Sequence, residues 1–238
     1  MELLDQLGKA LRWLKEYDKR NNLESIGETI ILSILSCHTS DPIVRELLIR
    51  AAKQCEINDA VDEVFVNYAL ANSPPSNIIL DIPPTISLDS IMKLSLMYSS
   101  FNEDQKSQLK TARNNFLRHI RLGGLHEFDV YLFCHFVMAT TAFGLISLPD
   151  DYAQKVQKYL VDTIKLHPKN TDLITEYYLS MSYIHQLDVP AATKHLQDTQ
   201  LEDGSFDRGT AKYDSNLHST LVAVWLIAEI LGKHNDNH

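Results

Sequence analysis

Strongly apolar segments recur along the second half of this 238-residue chain, and each of them opens at an aspartate. The aspartates are Asp129, Asp172 and Asp214, at intervals of about 42 residues. A more polar, amphipathic segment precedes each one, and the N-terminal pair ALRWLKEYDKR and LESIGETIILSIL follows the same order. This pattern predicts stacked helical hairpins of about 42 residues, because a single hairpin cannot bury its own apolar face.

Glycine and proline are scarce, with eight of each, and this favours an all-α fold over a sandwich or a barrel. Asp41 followed by Pro42 is a typical helix start, and Asn58 or Asp59, Asp150, Asp172 and Asp214 are also expected to be N-caps. The sequence predicts eleven helices, at about residues 2–20, 24–37, 42–55, 59–72, 88–99, 103–120, 127–146, 150–165, 171–187, 190–200 and 214–232.

Two arrangements of these hairpins are open. An open solenoid would cover the apolar helices on one side only, whereas an α/α toroid would place them in an inner ring with the amphipathic helices outside. The clear difference in polarity between alternate helices favours the toroid. We expect one helical-repeat domain over residues 1–238. The Pro-rich stretch 72–87 is interpreted as a surface crossover between its two halves or, alternatively, as a lid or binding loop.

The formal net charge is −9, and such an acidic chain is not expected to bind nucleic acid. The N-terminal stretch MELLDQLGKALRWLKE lacks the apolar core of a signal peptide, and the three cysteines show no disulfide pattern, so we expect a cytoplasmic protein. Residues 130–149 carry no Asp, Glu, Lys or Arg. They are interpreted as a helix buried on all sides, and no membrane span is expected.

One stretch, LQDTQLEDGSFDRGTAKYDSNLHSTLVAVWLIAEIL at 196–231, carries a polar turn between two helices. Its residues Gln200, Asp203, Gly204, Ser205 and Phe206 resemble in order the repeat of terpenoid cyclases and protein prenyltransferase β subunits. That resemblance covers about 35 residues and implies an α/α toroid. The turn of those families packs its aromatic residue between neighbouring hairpins while its polar groups cap helix ends.

The catalytic motifs of these families are largely missing. The chain contains no DxDD motif, and in place of DDxxD it has only DDYAQ at residues 150–154. Asp214 and His218, in DSNLHST, resemble the last zinc-binding element of prenyltransferases, but the Asp-x-Cys partner is absent. The resemblance therefore implies a fold rather than a reaction.

Polar residues at the starts of the apolar helices are the candidate catalytic group. Glu176 and His218 each lie four residues after an aspartate and hence on the same helix face as it. The candidates Asp172, Glu176, Asp214 and His218 could bind a divalent metal or transfer protons. Alternatively, the aspartates are helix caps and the histidine is a satisfied buried imidazole. Further residues are expected to line an apolar substrate cavity: His135, Tyr131, Tyr177 and Trp225.

Two functions remain open. The first is a biosynthetic or tailoring enzyme, or a substrate-binding relative, with a central cavity for an apolar or peptide substrate. It predicts a polar cluster in a deep pocket. The second is a non-catalytic helical-repeat module that binds a protein partner, which predicts a filled centre and an exposed apolar patch. The acidic cluster Asn58, Asp59, Asp62 and Glu63 is interpreted as a solvated helix start.

Overall fold

The computed structural model describes residues 2–20, 26–39, 41–71, 80–119, 127–207 and 216–235. Over these ranges the chain is all-helical, and the only β pairing in them is an isolated bridge between Gln200 and Phe206. A short 3-10 turn, Tyr98–Ser100, follows the fifth helix. The helices are α1 Glu2–Arg20, α2 Ile26–His38, α3 Pro42–Gln54, α4 Ala60–Ala71, α5 Leu88–Leu96, α6 Glu103–His119, α7 Glu127–Thr140, α8 Asp150–Ile164, α9 Thr171–Tyr183, α10 Val189–Thr199 and α11 Leu217–Asn235.

Helix starts follow the predicted capping chemistry at two places. Asp41 caps α3, since its Oδ1 atom accepts a hydrogen bond of 2.8 Å from the Ile43 amide, and Pro42 occupies the first helical position. Asp59 Oδ1 accepts a 2.8 Å bond from the amide of Asp62 at the start of α4. These contacts replace hydrogen bonds that the first turn of a helix cannot make internally.

Two other predicted caps are wrong. The cap position of α8 is Pro149, and Asp150 is already the first residue of the helix. Asn170, not Asp172, caps α9, because Asn170 Oδ1 accepts a 3.0 Å bond from the Leu173 amide. The carboxylate of Asp172 is thereby available for contacts with other helices. The predicted cap Asp214 lies outside the described residues.

The helices α7 and α9 end earlier than the sequence predicts. The α7 helix stops at Thr140 rather than near residue 146, and Ala142 and Phe143 have φ angles of 45° and 54°. The α9 helix stops at Tyr183 rather than near residue 187, with His185 at a φ angle of 59°. Residues with a left-handed backbone conformation end a helix. Non-glycine residues rarely adopt this conformation, so the local sequence does not indicate where α7 and α9 end.

The more apolar helices contact one another in a regular order. The α11 helix packs on α2 and on α9, α9 packs on α7, α7 on α5, and α5 on α2. The other helices lie against this set: α1 on α11, α3 on α2, α4 and α6 on α5, α8 on α7 and α9, and α10 on α9 and α11. Both α1 and α4 also pack on α3. Buried apolar side chains from all eleven described helices form one continuous cluster. None of the described helices is long and apolar enough to cross a membrane.

The turn between α10 and α11 joins the last hairpin to the first helix. Gln200 Nε2 donates to the backbone oxygens of Gln6, at 2.9 Å, and Gly204, at 3.1 Å. Asp203 accepts a 3.1 Å bond from Trp13 Nε1 in α1. Phe206 is 2% exposed, and its amide donates to Thr220 Oγ1 of α11. The hydrogen bonds of the turn therefore connect α1, α10 and α11 around a buried aromatic ring.

Part of the Pro-rich stretch is also packed. Residues 80–87 have no regular structure, but the Ile82 amide donates to Gln108 Oε1 at 3.0 Å and Asn115 Nδ2 donates to the Pro84 carbonyl at 2.7 Å. Both partners belong to α6, and Ile82 is 3% exposed. The described part of this stretch packs against α6, while residues 72–79 lie outside the described ranges.

Candidate functional site

Four of the candidate polar residues come together where α7, α9 and α11 meet. Asp172 and Glu176 are one turn apart in α9, and both are almost fully buried. His135 of α7 and His218 of α11 approach them from two sides. Because residues four apart share a helix face, the pairing within α9 follows from the sequence, whereas the approach of His135 requires the packing of α7 on α9.

Both imidazoles point their Nε2 atoms at the same carboxylate. His135 Nε2 lies 3.1 Å from each oxygen of Glu176, but only the contact with Oε1 has the geometry of a hydrogen bond, and Oε2 accepts none from the residues that the structure describes. His218 Nε2 lies 3.6 Å from Glu176 Oε1 and 4.0 Å from Asp172 Oδ2. A buried carboxylate between two imidazoles favours the protonated form of both rings.

Tyr131 holds the second carboxylate in place. Its hydroxyl lies 2.8 Å from Asp172 Oδ2 and 3.0 Å from Asn170 Oδ1, within donating distance of both. Tyr131 is one turn before His135 on α7, so one helix face supplies partners for both carboxylates of α9. Burial, together with the charges of Asp172 and Glu176, raises the pKa of Tyr131, and the hydroxyl therefore remains a donor.

The protonation states follow from a balance of burial and charge. Burial disfavours the charged imidazole of His218, but the close contact with Glu176 and the charge of Asp172 outweigh it and raise the pKa of His218 to about 9. Burial likewise opposes ionisation of Glu176, yet His135 and His218 lower its pKa to about 2. The pKa of His135 is raised in the same way, with Glu176 outweighing burial. At neutral pH the cluster thus pairs the imidazolium ion of His218 with the carboxylate of Glu176.

A cavity of about 270 Å³ adjoins this cluster. Every one of its walls comes from the apolar helices, and most of its lining is aliphatic or aromatic. The polar groups in the walls are His135, Glu176, His218 and Asp89. The two histidine side chains remain 34% and 27% exposed. The apolar lining residues are Ile30, Ile31, Leu88, Met92, Val222 and Trp225.

The predicted substrate-binding residues divide into two groups. Trp225 lines the cavity, and its indole nitrogen donates to the Tyr183 hydroxyl at 2.8 Å. Tyr131 contacts the cluster through Asp172 but is not part of the cavity wall. Tyr177 points elsewhere: it is not part of the cavity wall, and its ring packs against Tyr178 with centroids 5.1 Å apart. The difference arises because Tyr177 follows Glu176 directly and so faces about 100° away from it.

A second, polar cavity of about 580 Å³ lies beside the first, and Asp89 lines both. Its wall contains Lys93, a 3% exposed residue whose ammonium lies 2.7 Å from Asp62 Oδ1 and also contacts Asp89. Asp62 itself is 6% exposed. The interpretation of the 58–63 cluster as a solvated helix start is therefore wrong for Asp62, because a lysine thirty-one residues later reaches it across the helix packing.

Sequence reasoning missed Asn170, Lys93 and Glu28. Asp172, two residues later, was predicted as the cap of α9 in place of Asn170. An Asn before an apolar helix is nevertheless a recognisable cap signal. Glu28 of α2 contributes to raising the pKa of His218, and its buried Oε2 atom has no hydrogen-bond partner within the described ranges. Its place beside α11 depends on tertiary packing alone, and no local pattern could reveal it.

Asp172, Glu176 and His218 have the spacing of a potential metal site. One ligand atom from each lies within 4.8 Å of the others, a separation at which three side chains could hold a divalent cation. Carboxylate and imidazole are both ligands of zinc, manganese and iron. Protons compete for the same atoms, since a metal binds only the neutral imidazole.

Comparisons with models of protein families, with curated proteins and with solved structures find no match for this chain.

Proposed function

We propose that this protein is an enzyme that binds a small, mainly apolar substrate in the central cavity and transfers protons through His218, with Glu176 as the counter-ion of that imidazole. The observation that carries this proposal is the meeting of His135, Glu176 and His218 at one wall of an otherwise apolar cavity. Perturbed titratable groups in such a cleft are typical of catalytic sites. A biosynthetic or tailoring reaction on an apolar compound suits this lining.

The roles within the cluster follow from its electrostatics. His218, with a pKa of about 9, is a general acid at neutral pH and faces the cavity with part of its ring. Glu176 is the counter-ion that holds the imidazolium, and Tyr131 fixes Asp172 beside it. His135 shares Glu176 and would supply a second proton donor at the same wall.

We also propose that the apolar helices form the inner ring of an α/α toroid like that of terpenoid cyclases and prenyltransferase β subunits. The contacts α2–α5, α5–α7, α7–α9, α9–α11 and α11–α2 support a closed order. The turn at Gln200–Phe206 supports it too, because its aromatic residue is buried between helices as the resemblance implies.

The alternative, a non-catalytic module that binds a protein partner, has less support. Its expected filled centre is not found, and the large exposed apolar residues of the described ranges are spread over different elements: Leu4, Ile57, Leu145, Leu166 and Leu201. A cavity of about 270 Å³ also suits a small molecule better than a peptide.

A divalent cation is the alternative occupant of the cluster, favoured by the 4.8 Å spacing of Asp172, Glu176 and His218. Metal analysis of the untagged wild-type protein and of His218→Ala distinguishes a metal-dependent enzyme from a metal-free one. Stoichiometric metal in the wild type alone would replace general acid catalysis by Lewis-acid chemistry. Absence of metal in both proteins would leave proton transfer as the mechanism.

Cavity filling tests the proposal itself. We expect small aromatic probes, from ethylbenzene to acetophenone, to bind wild type and to shift the NMR signals of the cavity-lining methyl groups. Val222→Phe, which fills the cavity from α11, should abolish these shifts, whereas Val161→Phe on α8 should retain them. Binding of no probe, or equal binding to Val222→Phe, would refute a substrate cavity at this position.

A further inference from the structure

The apolar cavity has an open end and a closed end. The side chains of His135, His218 and Asp89 in its wall are partly exposed to solvent, and they form the open end. Val222 and Trp225 line the cavity but are buried, and they form the closed end. His218, Val222 and Trp225 lie on one face of α11, because they are four and then three residues apart. The cavity therefore runs along α11 from His218 to Trp225.

A chain of hydrogen bonds fixes the indole ring at the closed end. Trp225 Nε1 donates to the Tyr183 hydroxyl at 2.8 Å, and that hydroxyl donates to Glu229 Oε1 at 2.7 Å. An indole nitrogen can only donate, so the direction of the first bond does not depend on any protonation state. Tyr183 and Glu229 are buried and lie outside the cavity wall. They can therefore act on a bound molecule through the position of Trp225.

Aromatic packing confines the same indole ring. The ring of Phe143 packs on Trp225 and on Tyr183, with centroids 5.8 Å and 6.2 Å apart. Phe143 has a φ angle of 54°, and a bulky residue keeps this left-handed conformation only where the surrounding structure fixes it. At the next residue, Gly144, a Cβ atom would lie 3.0 Å from the Tyr183 ring. The indole thus has little freedom to move away from a molecule in the cavity.

We propose that Trp225 sets the maximum length of the apolar part of the substrate, and that Tyr183 and Glu229 are the positioning residues that hold its indole in place. This inference rests on the proposed function and describes the substrate that the site accepts. Trp225 lies seven positions after His218 in α11. This spacing corresponds to about 10 Å along the helix axis. The substrate therefore carries an apolar part of up to about 10 Å beyond the atom that reacts at His218.

A series of primary alcohols, from butanol to decanol, measures the available length. A hydroxyl group both donates and accepts hydrogen bonds, so these probes suit the open end whatever the protonation state of its histidines. Each CH2 group that becomes buried should raise the affinity for the wild-type protein about fourfold. The increase should stop once the extended chain reaches about 10 Å, because Trp225 prevents deeper entry and further CH2 groups remain in water.

Two variants and a control test the residues that set this length. Trp225→Phe shortens the side chain at the closed end and keeps the Tyr183–Glu229 pair, so the affinity should continue to rise up to a longer alcohol. Tyr183→Phe removes the acceptor of the indole N–H outside the cavity wall, and we expect a shift in the same direction because the ring is released. Tyr178→Phe is the matched control, since Tyr178 lies on the same helix but packs on His195.

The NMR signal of the Trp225 indole N–H reports on the ring itself. The chain has two tryptophans, and Trp225→Phe identifies the signal by its loss. In Tyr183→Phe this signal should move and broaden, because the N–H loses its buried acceptor and the ring samples more than one position. A variant that only lowered the stability of the protein would weaken the binding of all the alcohols equally. It would not change the chain length at which the affinity stops rising.

The outcomes separate this inference from the function on which it rests. If no alcohol binds the wild-type protein, the substrate cavity itself is refuted. If the affinity stops rising at the same chain length in Trp225→Phe as in the wild-type protein, the cavity stands and the role of Trp225 is overturned. If Trp225→Phe changes this length and Tyr183→Phe does not, the positioning role of Tyr183 and Glu229 is overturned.

Discussion

At the scale of single residues, His218 and Glu176 set how stability depends on pH. The pKa of His218 rises from 6.5 to about 9 on folding, so its contribution is complete below pH 6.5 and is lost as pH rises through 9. The pKa of Glu176 falls from 4.5 to about 2, so its contribution is complete above pH 4.5 and is lost as pH falls through 2. From this pair, we expect greatest stability between about pH 4.5 and 6.5.

Urea unfolding at a series of pH values measures this effect, and NMR titration of the His218 ring measures its pKa. In Glu176→Gln the ring should titrate closer to 6.5, and the decline of stability between pH 6.5 and 9 should become shallower. An unchanged decline in this variant would show that other groups cause it.

Lys93 provides a second test at the residue scale. Replacing it by methionine leaves Asp62 buried without its cation, and breaking a buried pair in this way costs about 3–5 kcal/mol of unfolding free energy. Lys106→Met is the matched control, because Lys106 pairs with the exposed Glu103, and solvent-exposed ion pairs of this kind contribute little to stability. Equal losses in the two variants, measured by urea unfolding, would contradict the role assigned to Asp62.

At the scale of elements, the turn before α11 depends on a glycine. Gly204 has a φ angle of 96°, and a Cβ atom there would lie 2.7 Å from the Lys9 carbonyl oxygen. We therefore expect Gly204→Ala to lower the unfolding free energy by about 1–3 kcal/mol. Gly232→Ala in α11 is the control. Its Cβ meets nothing within 4 Å, and alanine should stabilise the helix by up to about 1 kcal/mol. If Gly204→Ala left the unfolding free energy unchanged, this would show that the turn can move away from α1.

Sequence patterns predicted the elements well because local chemistry controls them. All eleven predicted helices are present, and Asp41–Pro42 marks the start of α3 as expected. The errors fall where tertiary structure overrides local preference, as at the left-handed residues after Thr140. In the site, the spacing of Asp172 and Glu176 was informative, but the partners of Glu176 come from α7 and α11, and no local pattern joins those helices.

At the scale of the whole molecule, the contacts between α1 and α11 connect distant parts of the chain. Ala10 and Leu14 of α1 are buried, and Lys9 lies against Gly204. We predict that amides in the middle of α1 exchange with solvent hydrogen at rates close to those of α11, because helices packed on each other in this way are expected to unfold as one unit. In Gly204→Ala both should lose protection together. Loss confined to α1 would indicate a first helix that frays independently.

The cavity draws its walls from α2, α5, α7, α9 and α11, and this has a consequence for biosynthesis. During synthesis α1 and α2 emerge from the ribosome long before α11 is made. The α11 helix carries His218 and packs on both of them. Until α11 is made, the parts of α1 and α2 that it covers have no final partner, although both helices can already pack on α3. The proposed cavity is therefore completed only when α11 packs, late in synthesis, and the apolar faces that α11 buries are open to aggregation until then.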